Sequence, residues 1–185
     1  DGYRSNLFMA TLTDSALTEE TNILAEPYDV PLQPFGGKEA YNWSADGQWV
    51  AYSCKKMSGL KYSESTNSDI YLYHLPSGET TNLTSDLPGY DREPVFSPNG
   101  RHIAWSSMAR DGYESDRNRI FIQDLKNGQR RELTEGYDEN ANHPQFSVNG
   151  DQVYFLSGVD ATIQLFSIPV DGGKPRQISK GTHNY

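Results

Sequence analysis

Residues 94–107 read Pro-Val-Phe-Ser-Pro-Asn-Gly-Arg-His-Ile-Ala-Trp-Ser-Ser, and the rest of the chain repeats the unit they begin. Val95 and Phe96 end an apolar strand. The segment Ser97-Pro98-Asn99-Gly100 then makes a tight turn, in which Pro98 presets φ and Asn99-Gly100 suit the positive φ of a hairpin. A second strand, Ile103 to Ser106, leaves that turn. Upstream, Tyr41-Asn42-Trp43-Ser44-Ala45-Asp46-Gly47 leads into Trp49-Val50-Ala51-Tyr52. Downstream, Pro144-Gln145-Phe146-Ser147-Val148-Asn149-Gly150 leads into Val153-Tyr154-Phe155. The turn glycines at 47, 100 and 150 are 53 and 50 residues apart (100 − 47 and 150 − 100), and a fixed period decides the architecture first. Trp43, Phe96 and Phe146 are thereby expected at equivalent buried sites.

Later features recur in the same order. A strand carries an apolar-aromatic pair, Ile70-Tyr71, Ile120-Phe121 or Leu165-Phe166. A glycine turn follows at Gly78, Gly128 or Gly172-Gly173, and a short strand closes on Leu83-Thr84, Leu133-Thr134 or Ile178-Ser179. From aromatic to closing residue is 12 positions in each unit (71 to 83, 121 to 133, 166 to 178). Four strands per unit of about 45–50 residues is a propeller blade. A β-sandwich with accidental similarity between hairpins does not account for four features recurring in register. The expected fold is all-β, a partial β-propeller of four-stranded antiparallel blades, three full and parts of two others.

The chain begins out of phase. Asn6–Ala10 aligns with the third strand of later units, so residues 1–25 are expected to end a blade, closed by either Leu17-Thr18 or Ile23-Leu24. Residues 26–37 hold three prolines and two glycines and read as an extended connection packed by Tyr28, Leu32 and Phe35. Full blades are expected at 38–84, 90–134 and 140–179, with 181–185 starting another. The start at Asp1-Gly2-Tyr3-Arg4 resembles the middle of a loop rather than a signal peptide, and the chain reads as a piece of a longer protein. From turn glycine to third-strand aromatic is 24 residues in the first unit (47 to 71), 21 in the second (100 to 121) and 16 in the third (150 to 166). The first two blades therefore carry insertions, Lys55 to Ser68 and Met108 to Asn118, and additions to a regular repeat are where function is commonly placed.

A net charge of −9 over 185 residues argues against a nucleic-acid partner, and no stretch approaches the roughly 18 apolar residues of a membrane span. Cys54 is alone, which excludes an intrachain disulfide and reads as a small core filler. No Gly-x-Ser-x-Gly elbow and no His-Glu-x-x-His occurs; His74, His102, His143 and His183 share no repeat position. Asp138-Glu139-Asn140-Ala141-Asn142 alternates oxygen ligands but lacks the glycine and distal glutamate of a calcium loop, so it reads as a solvated connection. The Asn-x-Ser/Thr matches at Asn42 and Asn82 fall inside the repeat and carry no weight. Neither catalytic residues, metal nor cofactor are expected in this chain.

The repeat, turn then Ile-Ala-Trp or Val-Ala-Tyr then Ile-Tyr or Ile-Phe then Leu-Thr, resembles that of TolB-type proteins and of the prolyl oligopeptidase family of serine peptidases. Pro31–Gly37, Ser65–Tyr71 and above all Ser107–Arg119 resemble dipeptidyl peptidase V and acylaminoacyl peptidase relatives. The resemblance covers essentially the whole chain, with Asn99, Asn149 and Val148 departing from the usual Asp and Pro. It implies a periplasmic or secreted exopeptidase releasing dipeptides or acyl-amino acids, whose propeller gates access of short peptides to a C-terminal α/β-hydrolase domain. That domain is not in these residues. A free-standing TolB-like propeller serving as a protein-interaction module is the alternative. Within the second insertion, Glu114 and Asp116 are candidate substrate-binding carboxylates for a free α-ammonium group; their neighbours Arg110, Arg117 and Arg119 offer ion pairs that only stiffen the loop.

Overall fold

Each repeat turn folds around its serine. In the computed structural model, which describes residues 4–32, 36–182 and 184–185, the hydroxyls of Ser44, Ser97 and Ser147 accept the amides of Trp49, His102 and Gln152 at 2.9, 2.8 and 3.0 Å. Their carbonyls accept the amides of Gly47, Gly100 and Gly150, whose φ values are 69°, 68° and 74°. Only the glycine of each turn is left-handed, contrary to the expectation for Asn99. Asn99 acts through its side chain instead: Oδ1 accepts the Ser97 hydroxyl at 2.7 Å and the Arg101 amide at 3.0 Å, a side-chain mimic of a backbone turn. Asp46 does the same for Ser44 and Gln48.

The strands form one hairpin and three antiparallel meanders. The hairpin pairs β1 (Phe8–Leu12) with β2 (Leu17–Asn22). The first meander is β3 (Tyr41–Trp43), β4 (Trp49–Cys54), β5 (Asp69–His74) and β6 (Glu79–Asn82). The second is β7 (Asp91–Phe96), β8 (His102–Ser107), β9 (Arg119–Asp124) and β10 (Arg130–Glu132), and the third β11 (Asn142–Phe146), β12 (Gln152–Val159), β13 (Thr162–Pro169) and β14 (Arg176–Gln177). The closing Thr or Ser has a definite role. Thr84, Thr134 and Ser179, all buried, accept the third-strand amides of Ile70, Ile120 and Leu165 at 3.0, 3.0 and 2.8 Å. The amides of the residues before them, Leu83, Leu133 and Ile178, donate to the carbonyls of the same three residues. In the first hairpin the corresponding bond runs from the Ile23 amide to the Leu7 carbonyl at 3.0 Å, so Ile23-Leu24 closes it, whereas Leu17 sits exposed near the hairpin tip.

A backbone bridge joins each sheet to the chain that follows it. The amides of Val30, Asp91, Ala141 and Tyr185 donate to the carbonyls of Ser5, Ser68, Asn118 and Ile163, each two residues before the third-strand apolar residue, at 2.9, 3.1, 2.9 and 3.2 Å. Asp29, Asn140 and Asn184 brace three of these bridges by accepting the amides of Ser5, Asn118 and Ile163 at 2.7, 2.8 and 2.8 Å.

The core lies between sheets. In β4, Val50, Tyr52 and Cys54 face the first hairpin and Ala51 faces the second meander; in β8, Ile103 and Trp105 face back and Ala104 forward. Both faces are therefore apolar, which explains the unbroken hydrophobic runs. Cross-strand ring stacks, Tyr52–Tyr71, Trp105–Phe121 and Phe155–Phe166 with centroids 5.4, 5.8 and 5.6 Å apart, recur at one register position and pack onto the preceding sheet. Tyr28 and Leu32 pack along the connection as expected, while Phe35 lies outside the described residues.

Trp43, Phe96 and Phe146 do share a register, opposite Val50, Ile103 and Val153. Equal burial is not found: Phe96 is 8% exposed, Phe146 is half-buried and Trp43 is 46% exposed. Phe96 and Phe146 each lean on a preceding four-stranded sheet, whereas among the described residues the sheet before Trp43 is only the β1–β2 hairpin. The outward face of the third meander is likewise half-open at Tyr154, Leu156 and Leu165. Phe96→Ala should lower unfolding free energy by about 3–5 kcal/mol in urea titrations, and Trp43→Ala by less than half of that, because only the first leaves a cavity in a close-packed interface.

Candidate functional site

The two insertions meet at the edge where β4 and β8 end and β7 begins. In the first, Gly59 (φ 62°) turns the chain into the short helix α1 (Leu60–Glu64). The Lys55 ammonium donates to the carbonyls of Tyr62 and Ser65 at the end of that helix and lies 4.4 Å from the Tyr62 ring centre. Desolvation lowers the Lys55 pKa, but the two carbonyls give its charge a fixed place.

The second insertion closes on itself. The Arg110 guanidinium pairs with Asp116 at 3.2 Å, and the Asp116 carboxylate also accepts the amides of Ala109 and Arg117 at 3.1 Å each. The Arg110 hydrogen bond, with these amides, holds the Asp116 carboxyl below the usual carboxylate range. Arg110 further covers the ring of Tyr113, 4.0 Å from its centre. Gly89 permits the loop's root to come close: a Cβ there would stand 2.0 Å from the Met108 carbonyl oxygen, so no side chain fits.

Between the insertions is a cleft of about 420 Å³, with Tyr62, Ser65, Thr66, Tyr90, Arg92 and Glu114 on its walls. The volume is that of a small-ligand site. Arg92 stacks 5.2 Å from the Tyr90 ring centre and approaches Glu93 Oε1 at 3.8 Å, and its Nε has no hydrogen-bond partner among the described residues. Of the two carboxylates singled out in the sequence, Glu114 lines the cleft and Asp116 is turned into its own loop. The other cleft residues were not individually legible; the signals were the length of the first insertion and the Tyr-Asp-Arg run at the head of β7.

Glu93 links the second and third meanders. It is buried with φ 58°, a conformation that costs a non-glycine residue energy, and His143 at the same repeat position has φ 55°. Glu93 Oε2 accepts the His143 amide at 3.0 Å, Oε1 lies 3.1 Å from His143 Nδ1, and Ser106 donates at 3.3 Å. Other polar candidates are absorbed into structure. Asn140 and Asn142 bond Asn118 rather than gather a cation, and among the described residues no cluster of three His, Cys, Asp or Glu side chains forms. Asn42 accepts the Phe96 amide at 2.9 Å, and Asn82 the Thr84 amide at 3.0 Å. Cys54 is buried, and burial pushes its thiol up to about 12, leaving it unreactive near neutrality.

Asp91, between the cleft residues Tyr90 and Arg92, points inward and is fully buried. Neither carboxylate oxygen has a hydrogen bond of good geometry among the described residues. Burial raises its pKa to about 7, offset in part by the hydroxyls of Ser107 and Thr84. The folded chain thus binds this proton more tightly than the unfolded chain, so the Asp91 contribution is fully present below about pH 4 and is lost as pH rises through about 7. Asp91→Asn should remove that part of the decline, seen as a flatter Tm-versus-pH curve between about pH 4 and 7; an unchanged slope would sink the assignment.

Stacked four-stranded antiparallel meanders, bridged sheet to sheet with the insertions on one edge, define a β-propeller whose ring is not closed by these residues. The TolB β-propeller domain family matches residues 39–185, and the chain belongs to that family. It is 45% identical over 179 residues to dipeptidyl-peptidase 5 of Porphyromonas gingivalis, covering 96% of this chain and 26% of that protein. The chain thus spans about a quarter of the length of the curated relatives it matches. Among solved structures, TolB of Acinetobacter baumannii superposes with a TM-score of 0.58 at 19% identity over 86% of this chain and 34% of its own. Acylaminoacyl peptidase of Pyrococcus horikoshii does so with 0.54 at 20% identity over 73% and 20%. These two likenesses establish the shared fold.

Proposed function

We propose that the chain is the substrate-gating propeller portion of a serine exopeptidase that releases dipeptides or acyl-amino acids from short peptides. The observation that carries this is the 45% identity to a dipeptidyl-peptidase 5 along nearly the whole chain, insertions included. In this reading the nucleophile belongs to an α/β-hydrolase domain of the same polypeptide, and the blades run 38–84, 90–134 and 140–179, with 1–25 and 181–185 belonging to neighbours. Asn184 and Tyr185 support the last point, since they bond Ile163 as Asn140 and Ala141 bond Asn118. The free-standing interaction module is the weaker reading, because the similar sequences are dipeptidyl-peptidases of which this chain matches about a quarter. The family likeness supports a periplasmic or secreted location. Among the described residues no helix is long and apolar enough to cross a membrane.

The cleft supplies the gating chemistry. Glu114 offers a carboxylate to a peptide's free α-ammonium group at a fixed place, and Arg92 beside Tyr90 offers donors to the peptide backbone. Asp116 shapes the loop that carries Glu114. In the full-length polypeptide, Glu114→Gln should lower kcat/KM for free-amino dipeptidyl substrates by about 2–5 kcal/mol in transition-state terms and leave amino-blocked substrates nearly unaffected. Asp116→Asn should impair both substrate types alike. Equal losses on both types with Glu114→Gln would overturn the anchor, and the 185-residue chain alone is expected to hydrolyse neither.

A further inference from the structure

The two insertions come from different blades, yet one carboxylate joins them. Asp111 Oδ1 accepts the Ser65 hydroxyl at 2.7 Å and the consecutive amides of Thr66 and Asn67 at 2.7 and 3.1 Å. The bond is reciprocated: the Gly112 amide donates to Thr66 Oγ1 at 2.9 Å. Ser65 is the residue that ends α1, so the carboxylate seats where that helix releases the chain. The Ser65 hydroxyl and these amides hold the Asp111 carboxyl below the usual carboxylate range, keeping it an acceptor across the neutral range.

What Asp111 grips is the wall of the cleft. Ser65 and Thr66 line it from the first insertion, and Glu114, three residues after Asp111, lines it from the second. The ring closed by Arg110 and Asp116 makes residues 109–116 a compact unit, so fixing Asp111 also fixes Glu114. Lys55 secures the opposite unit through the Tyr62 and Ser65 carbonyls. Each unit is thus held within its own blade, and Asp111, helped by the Gly112 amide, provides the hydrogen bonds to the other blade's loop.

We propose that Asp111 is a positioning residue that clasps the two insertions into one wall and so holds the cleft, Glu114 included, in its binding geometry. This rests on the substrate-gating reading above. It assigns Asp111 no contact with substrate; its effect passes through Ser65, Thr66 and Glu114.

The test uses the full-length polypeptide carrying Asp111→Ala, Asp111→Asn or Glu114→Gln, with amide hydrogen exchange and paired kinetics on free-amino and amino-blocked dipeptidyl substrates. Asp111→Ala should speed exchange at residues 62–67 of the other blade by about tenfold or more, with the sheet amides unchanged. It should raise KM for free-amino substrates about 5- to 20-fold with kcat within about twofold. Asp111→Asn, whose amide oxygen still accepts, should stay near wild type in both readouts. Adding Asp111→Ala to Glu114→Gln should produce little further loss on free-amino substrates. Unchanged exchange at 62–67 in Asp111→Ala, or faster exchange with unchanged KM, overturns the clasp. If Glu114→Gln has no effect while Asp111→Ala shows both changes, the clasp stands and the ammonium-anchor reading falls.

Discussion

A four-stranded sheet stacked between two others has no solvent face in its inner strands, and that double burial governs most of this chain. Residues on both sides of β4, β5 and β8 must be apolar or small, and the polar groups among them must be paired internally. The paired cases are systematic. The closing Thr or Ser of each four-stranded sheet satisfies a third-strand amide that has no further strand to bond, and the turn serine satisfies the first amide of the second strand. Residues that read as mere repeat markers in sequence are hydrogen-bond acceptors placed where the ladder runs out.

The architecture was legible because double burial and turn chemistry both leave periodic marks. Glycines at 47, 100 and 150 are needed for positive φ, and the aromatic-to-closing spacing is fixed by a hairpin of constant length. Burial at a repeat position was less legible, since it depends on the neighbouring sheet as well as the residue; Trp43 has the register of Phe96 without its cover. The first hairpin was ambiguous because its strands run one pair further to the tip than β5 and β6 and carry a bulge between Met9 and Thr11, which lengthens it beyond the repeat spacing.

The site was readable as two insertions and a pair of candidate carboxylates in the second. Nothing in the spacing of Asp111, Glu114 and Asp116 tells which carboxylate faces its own loop, which faces the other blade and which faces open space. Those assignments are made by partners more than 40 residues away, as Asp111 with Ser65 shows, or by a local ring such as Arg110–Asp116. Asp91 and Glu93 were hidden for the opposite reason. They sit in a strand whose pattern calls for apolar side chains, and only the bulge in β7 shows how two carboxylates are accommodated there.

The recurring ring stacks all look backward, each packing on the sheet made just before it, and every backbone bridge reaches back to a carbonyl of that same sheet. The interfaces therefore have a polarity that matches the direction of synthesis. A chain emerging N-terminus first presents each new sheet to a surface already in place, so ordering can advance one sheet at a time without waiting for distant sequence. In that sense the repeat is a template copied forward: the exposed face of the last finished sheet is the mould on which the next one sets.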